Sequence, residues 1–179
     1  MRKLKNEELN RLSADQFKSI QKNPIVVVLD NIRSLNNVGA AFRTGDAFCV
    51  EKIYLCGITG QPPHREIHKT ALGATETVEW EYRKATVDLI KDLKSQGYII
   101  ACVEQADASV SLLDFQCSLT EKYALVFGNE VFGVSDEVVG LSDLCIEIPQ
   151  GGTKHSLNIS VSIGITLWDI TCKNGFFKP

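Results

Sequence analysis

The sequence predicts a single α/β domain built on a mostly parallel sheet flanked by helices. Two observations carry that prediction: five short, near-continuously apolar runs rich in β-branched residues recur along the chain, and helical or looped segments separate them. The third is size and balance. With 179 residues, 44% hydrophobic and 23% charged, the chain suits one domain whose core needs neither a disulfide nor a structural metal.

Residues 1–23 carry six basic and three acidic side chains, a charge of +3 in a chain whose total is -3. Leu9, Leu12, Phe17 and Ile20 approximate a helical stripe, and Ser13 with Gln16 has capping-box spacing. One or two short helices are expected here, forming a basic arm that packs on a body comprising residues 24–179. The apolar runs 25–30, 52–56, 98–104, 123–127 and 144–148 are the expected strands, reading as strands buried on both faces do. Between them, residues 38–48, 86–97 and 134–140 are expected as helical segments, with Gly97 and Gly140 as stops. Residues 156–167 alternate polar and apolar almost perfectly, which signals a strand. The run is about twice the usual strand length. A closing helix accommodates as many apolar residues, so periodicity leaves both readings open.

Composition narrows the function. A pI near 5.6 argues against a surface wholly devoted to nucleic acid, although a local basic patch remains compatible with it. Cys49, Cys56, Cys102, Cys117, Cys145 and Cys172 are scattered through apolar surroundings with no C-x-x-C pair, the pattern of reduced thiols in a cytoplasmic protein. The N-terminus is charged with no apolar core behind it, and nowhere do 18 consecutive apolar residues occur, so no membrane association is expected. The absence of G-x-G-x-x-G, of a G-K dipeptide and of G-x-S-x-G points away from dinucleotide enzymes, P-loop NTPases and serine hydrolases. His64 and His68 are four residues apart, but no further ligand is arranged around them, so no metal is expected.

Three polar, glycine-containing segments each begin at the carboxyl end of an expected strand: LDNIRSLNNVGAAFRT, FGNEVFGVSDE and IPQGGTKHSLN. Ligands of open α/β sheets gather at those ends. Segments rich in Asn, Arg, Glu and Ser but lacking metal-type clusters suit a polar organic ligand held partly by backbone groups.

In order and spacing, N-N-V-G-A-A-F-R-T, F-G-N-E-x-x-G-V-S and I-P-x-G-G-x-x-x-S-L-N-I-S resemble the three signature motifs of the SpoU or TrmH branch of the SPOUT RNA methyltransferases. The resemblance covers residues 25 to about 170. It implies a SPOUT fold with a C-terminal trefoil knot, in which residues 125–170 thread to form a pocket for S-adenosyl-L-methionine. It also makes residues 156–171 helical and implies a homodimer with the site beside the subunit interface.

Carried over residue by residue, the resemblance assigns the cofactor to Gly128, Ile148 and Leu157, chiefly through backbone groups. Arg43 matches the arginine credited with activating the ribose 2'-hydroxyl, and Asn37, Glu130, Ser156 and Asn158 match the polar residues shaping the site. Gln150 departs from the methionine that relatives commonly carry after Ile-Pro, a change that bears on the pocket lining. Because a guanidinium stays protonated in proteins, electrostatic stabilisation and phosphate positioning suit Arg43 better than general-base work.

The implied activity is 2'-O-ribose methylation of RNA, with tRNA favoured over ribosomal RNA. A non-catalytic knotted RNA-binding protein is the alternative from another class. The length leaves no room for a separate RNA-binding domain, so recognition is expected to rest on the dimer and on Lys3, Lys5, Arg11 and Lys18 of the arm.

Overall fold

The computed structural model describes residues 1–177. Strands β1 (Asn23–Asp30), β2 (Val50–Cys56), β3 (Trp80–Arg83), β4 (Tyr98–Val103), β5 (Val110–Ser111), β6 (Lys122–Phe127) and β7 (Leu144–Glu147) form one sheet in the order β3-β2-β1-β6-β4-β7-β5. Every adjacent pair is parallel. The five expected strands are present, with ends shifted by one or two residues. β3 and β5 were not expected, because one is a half-exposed edge strand and the other only two residues long.

Alternation along β1 divides the interior into two cores. Ile25, Val27 and Leu29 face one layer containing α1 (Ala14–Ser19), α2 (Leu35–Ala47), α3 (Arg65–Ala71), α4 (Ala74–Thr77) and α7 (Ile159–Asn174). Val26 and Val28 face the opposite layer, where α5 (Thr86–Ser95) and α6 (Asp136–Leu141) supply Leu89, Ile90, Leu93 and Val138.

The basic arm contains a 3-10 helix over Asn6–Leu9 and then α1, where Ser13 and Gln16 form the expected capping box. Only part of the expected stripe is used. Phe17 enters the core and Ile20 packs partly against it, whereas Leu9 and Leu12 are exposed, because Asn10 turns left-handed and the helical path is broken between the two helices. Gly97 stops α5 with a left-handed φ of 83°. Gly140 does not stop α6. It lies within the helix, which ends at Leu141 and is capped by Ser142, whose hydroxyl donates to the Val139 carbonyl at 2.7 Å.

The ambiguous C-terminal segment is helical. Asn158 caps α7 by accepting from the Ser160 N–H at 2.9 Å, and Gly175 ends it in the left-handed region at φ 80°. Its inner face, Ile159, Ile163, Leu167 and Ile170, is buried in the first core. Asn23 ties the far end of α7 to the start of β1, donating to Thr171 Oγ1 at 3.0 Å and accepting from Asn174 Nδ2 at 2.9 Å.

The six cysteines are free thiols. Burial pushes Cys56 and Cys102 up to about 12, so both are inert as nucleophiles. Cys172 breaks the expectation of apolar surroundings, standing exposed on α7. No helix among the described residues is long and apolar enough to cross a membrane.

Candidate active site

A cleft of about 840 Å³ opens at the carboxyl ends of β4, β6 and β7, within the size range of small-molecule sites. Its floor is apolar, with Ile146 fully buried and Ile148 half-buried. Its walls are three loop segments: residues 104–107 after β4, 128–134 after β6, and 148–158 between β7 and α7.

The 128–134 loop is tightly tied. Asn129 and Gly133 exchange backbone hydrogen bonds of 2.9 and 2.8 Å, and the Asn129 carboxamide oxygen accepts from the N–H groups of Val131 and Phe132. The amide nitrogen of Asn129 donates to the Asn31 carbonyl at 2.8 Å, joining the ends of β1 and β6. Asn31 leaves β1 at φ 58°, a left-handed conformation that asparagine tolerates better than most residues. On the other side, Glu104 accepts from the Val134 N–H at 3.1 Å.

Glu130 joins the first loop to the second. Its carboxylate accepts from the N–H groups of Arg33 and Ser34, both at 3.0 Å, and from the Asn37 side-chain amide at 3.2 Å. Partial burial pushes the Glu130 carboxyl up. The backbone donors of Arg33, Glu130 itself and Ser34, with the Asn37 amide, outweigh that and hold it below the ordinary carboxylate range. A carboxylate held this way is an anionic anchor and a poor proton acceptor.

Glu130→Gln turns an amide N–H₂ toward one of those donors and is expected to cost about 1 kcal/mol in urea denaturation. Because the folded pKa is lowered, the carboxylate's contribution is complete above its ordinary value of 4.5 and declines as the pH falls from there through the folded value. The stability gap between the two proteins should therefore close in acid. Equal midpoints at neutral pH would show that the anchor contributes nothing.

Residues 24–168 match the SpoU rRNA Methylase family. The chain belongs to that family. It is 29% identical over 152 residues to the tRNA (guanosine(18)-2'-O)-methyltransferase of Borreliella burgdorferi, across 85% of this chain and 68% of the relative. Against the 23S rRNA (guanosine-2'-O-)-methyltransferase RlmB of Neisseria meningitidis it is 29% identical over 153 residues, across 86% of this chain and 60% of the relative. The structure of an AdoMet-bound rRNA methyltransferase from Sinorhizobium meliloti superposes with a TM-score of 0.77 at 28% identity, covering 86% of this chain and 58% of that one. The chain thus spans between 58% and 68% of the length of these relatives.

Within this SpoU-family chain, six of the eight expected site residues line the cleft: Gly128, Glu130, Ile148, Ser156, Leu157 and Asn158. Asn37 reaches its edge through Glu130. Gln150, the departure from the motif, lines the cleft as well. Arg43 does not join them. It is exposed on α2, beside Asp46, Leu72 and Glu76 in a separate depression of about 430 Å³. His64 has a structural task, its Nδ1 capping α3 by accepting from the Glu66 N–H at 3.2 Å. Among the described residues no group of three or more His, Cys, Asp or Glu side chains is placed to hold a metal ion.

Sequence reasoning missed Asn129, Glu104 and the Arg33 and Ser34 amides. Asn129 lies inside the F-G-N-E motif, between Gly128 and Glu130. Glu104, a carboxylate closing an apolar run, marked the mouth of the sheet.

Proposed function

We propose that this chain catalyses S-adenosyl-L-methionine-dependent 2'-O-ribose methylation of RNA, with tRNA ahead of ribosomal RNA as substrate. The observation that carries this reading is the convergence of six motif residues on one cleft at the strands' carboxyl ends, in a chain of the SpoU family. The cleft suits the cofactor: Ile148 and Leu157 offer an apolar surface for an adenine, and the 128–134 and 148–158 loops bring backbone groups to its walls. Bound there, S-adenosyl-L-methionine supplies an electrophilic methyl group on a sulfonium. Gly128, Ile148 and Leu157 would hold it chiefly through backbone groups, in a pocket that the chain between residues 125 and 170 forms by threading as a trefoil knot.

A ribose hydroxyl is a weak nucleophile that loses its proton as it attacks, so oxyanion charge develops and must be met by a cation. Arg43 is that cation in this reading, with Asn37, Glu130, Ser156 and Asn158 shaping the surroundings. Glu130 fixes the loops, and Asn158 orients the start of α7 by capping it. No metal takes part.

Arg43 lies outside the cleft of its own chain, an arrangement that suits a homodimer in which the partner presents it. The outer face of α7 supports such a pairing: Val161, Ile165 and Trp168 form an exposed apolar stripe, with Trp168 59% exposed. Residues 1–23 act as the basic arm of the 24–179 catalytic domain in the cytoplasm. Lys3, Lys5, Arg11 and Lys18 are exposed there, and among the described residues none of them is paired with a carboxylate.

Calorimetric titration with S-adenosyl-L-methionine should give saturable binding. Mass-spectrometric nucleoside mapping of tRNA and ribosomal RNA from cells lacking the protein should show loss of one 2'-O-methyl nucleoside from tRNA. Loss from ribosomal RNA instead would select the runner-up substrate. Failure of both measurements would leave the non-catalytic RNA-binding alternative.

A further inference from the structure

The two unassigned positions of the G-N-E-x-x-G motif are Val131 and Phe132, and both line the mouth of the cleft. Phe132 is 84% exposed. Mobility does not account for that exposure, because the backbone beneath the ring is held by the paired Asn129–Gly133 hydrogen bonds, by Asn129 Oδ1 accepting from the Phe132 N–H at 3.2 Å, and by the Asn129 link to Asn31. Gly133 completes the turn at φ 68°, where a Cβ would lie 2.2 Å from Glu104 Oε2. Among the described residues the Phe132 ring takes part in no aromatic pair. A fixed loop therefore carries a bare aromatic face into solvent, where it contributes nothing to the core, a few residues from Glu130.

We infer that Phe132 is a stacking platform for the nucleobase of the RNA nucleotide presented at the cleft. The inference rests on the cleft being the methyl-transfer site. A base whose ribose enters such a cleft is drawn away from its neighbours and needs a new surface for its π-face. Aromatic side chains supply that surface in single-stranded RNA recognition, and they do so without selecting base identity because every base has a π-face. Phe132 has no polar atom to read a base edge. It therefore sets how tightly the nucleotide is held, not which nucleotide is chosen.

Phe132→Ala is expected to raise KM for RNA ~5-fold to 150-fold, the range for loss of one stacked base, with kcat at saturating RNA unchanged. Cofactor affinity by calorimetry and dimer mass by light scattering should match the wild type. Phe132→Trp should retain the low KM and show fluorescence quenching when RNA is added, a readout independent of methyl transfer. Phe132→Leu keeps the apolar bulk without the π-face and should behave like alanine. The platform is overturned if Phe132→Leu equals the wild type, if Phe132→Ala weakens cofactor binding, or if it dissociates the dimer; these outcomes assign the ring to apolar packing, the cofactor or the subunit interface respectively. A wild-type protein that binds no S-adenosyl-L-methionine and methylates no RNA would instead remove the reading of the cleft.

Discussion

Arg43→Ala is expected to lower methyl transfer ~10²-fold to 10³-fold at saturating RNA, the loss that follows removal of one charged transition-state stabiliser. Cofactor affinity should hardly move, because Arg43 lies outside the cleft that contains Gly128, Ile148 and Leu157. Arg43→Lys keeps the charge but loses the planar fork that holds two oxygens at once, so it should recover little. The position of Arg43 makes a further result checkable. If each site takes its arginine from the partner, mixing Arg43→Ala chains with chains whose cofactor pocket is disabled regenerates one complete site per mixed dimer. Random reassortment of a two-fold dimer then restores about a quarter of wild-type activity from two inactive proteins. An arginine acting within its own chain gives no recovery in the same mixture. Near wild-type turnover in a folded Arg43→Ala protein would remove the role altogether, and loss of cofactor binding would move the residue into the pocket.

The alternation over residues 156–167 shows why part of the fold was illegible. Residues two apart on a helix stand about 200° apart around its axis, so an alternating apolar series lays down two stripes on nearly opposite faces. Here Ile159, Ile163 and Leu167 form the stripe in the core, whereas Val161, Ile165 and Trp168 form the exposed one. A period of two is the usual sign of a strand with one buried face; a helix with two apolar faces produces the same signal. The central strands were legible because burial on both faces leaves no room for polar residues. β5 was not, since two residues carry no pattern and its pairing with β7 is settled by tertiary contact alone. In the site, the three polar segments at the strands' carboxyl ends were legible from residue types, and the individual residues converging on the cleft through the resemblance of those segments to the SpoU or TrmH motifs. Their partners were less so: Arg33 and Ser34 hold Glu130 through backbone N–H groups, which every residue but proline possesses.

Gly128→Ala is expected to weaken S-adenosyl-L-methionine binding and to lower methyl transfer by about 10²-fold, as misplacement of a catalytic site by roughly an ångström does. A Cβ at Gly128 would lie 2.0 Å from the Val134 nitrogen, 2.1 Å from the Gly133 carbonyl carbon and 2.4 Å from its oxygen. All three are backbone atoms, so no rotamer change relieves the overlap. The 129–134 loop must move, and its movement breaks the Asn129–Gly133 pairing or the Glu104 bond to Val134 that shapes the cleft wall. The stability change carries the second half of the test. Gly128 does not occupy a left-handed conformation. At such a position glycine to alanine ordinarily stabilises a protein by ~0.4–1 kcal/mol through the unfolded chain, whereas forced overpacking costs ~1–3 kcal/mol. Denaturation should therefore show a loss where an unobstructed site would show a gain. Gly151 is the matching control on the 148–158 loop: nothing lies within 4 Å of a Cβ built there, so Gly151→Ala should leave stability unchanged or slightly raised. A stabilised Gly128→Ala protein with wild-type cofactor affinity would mean that the loop does not form the wall of the cofactor site.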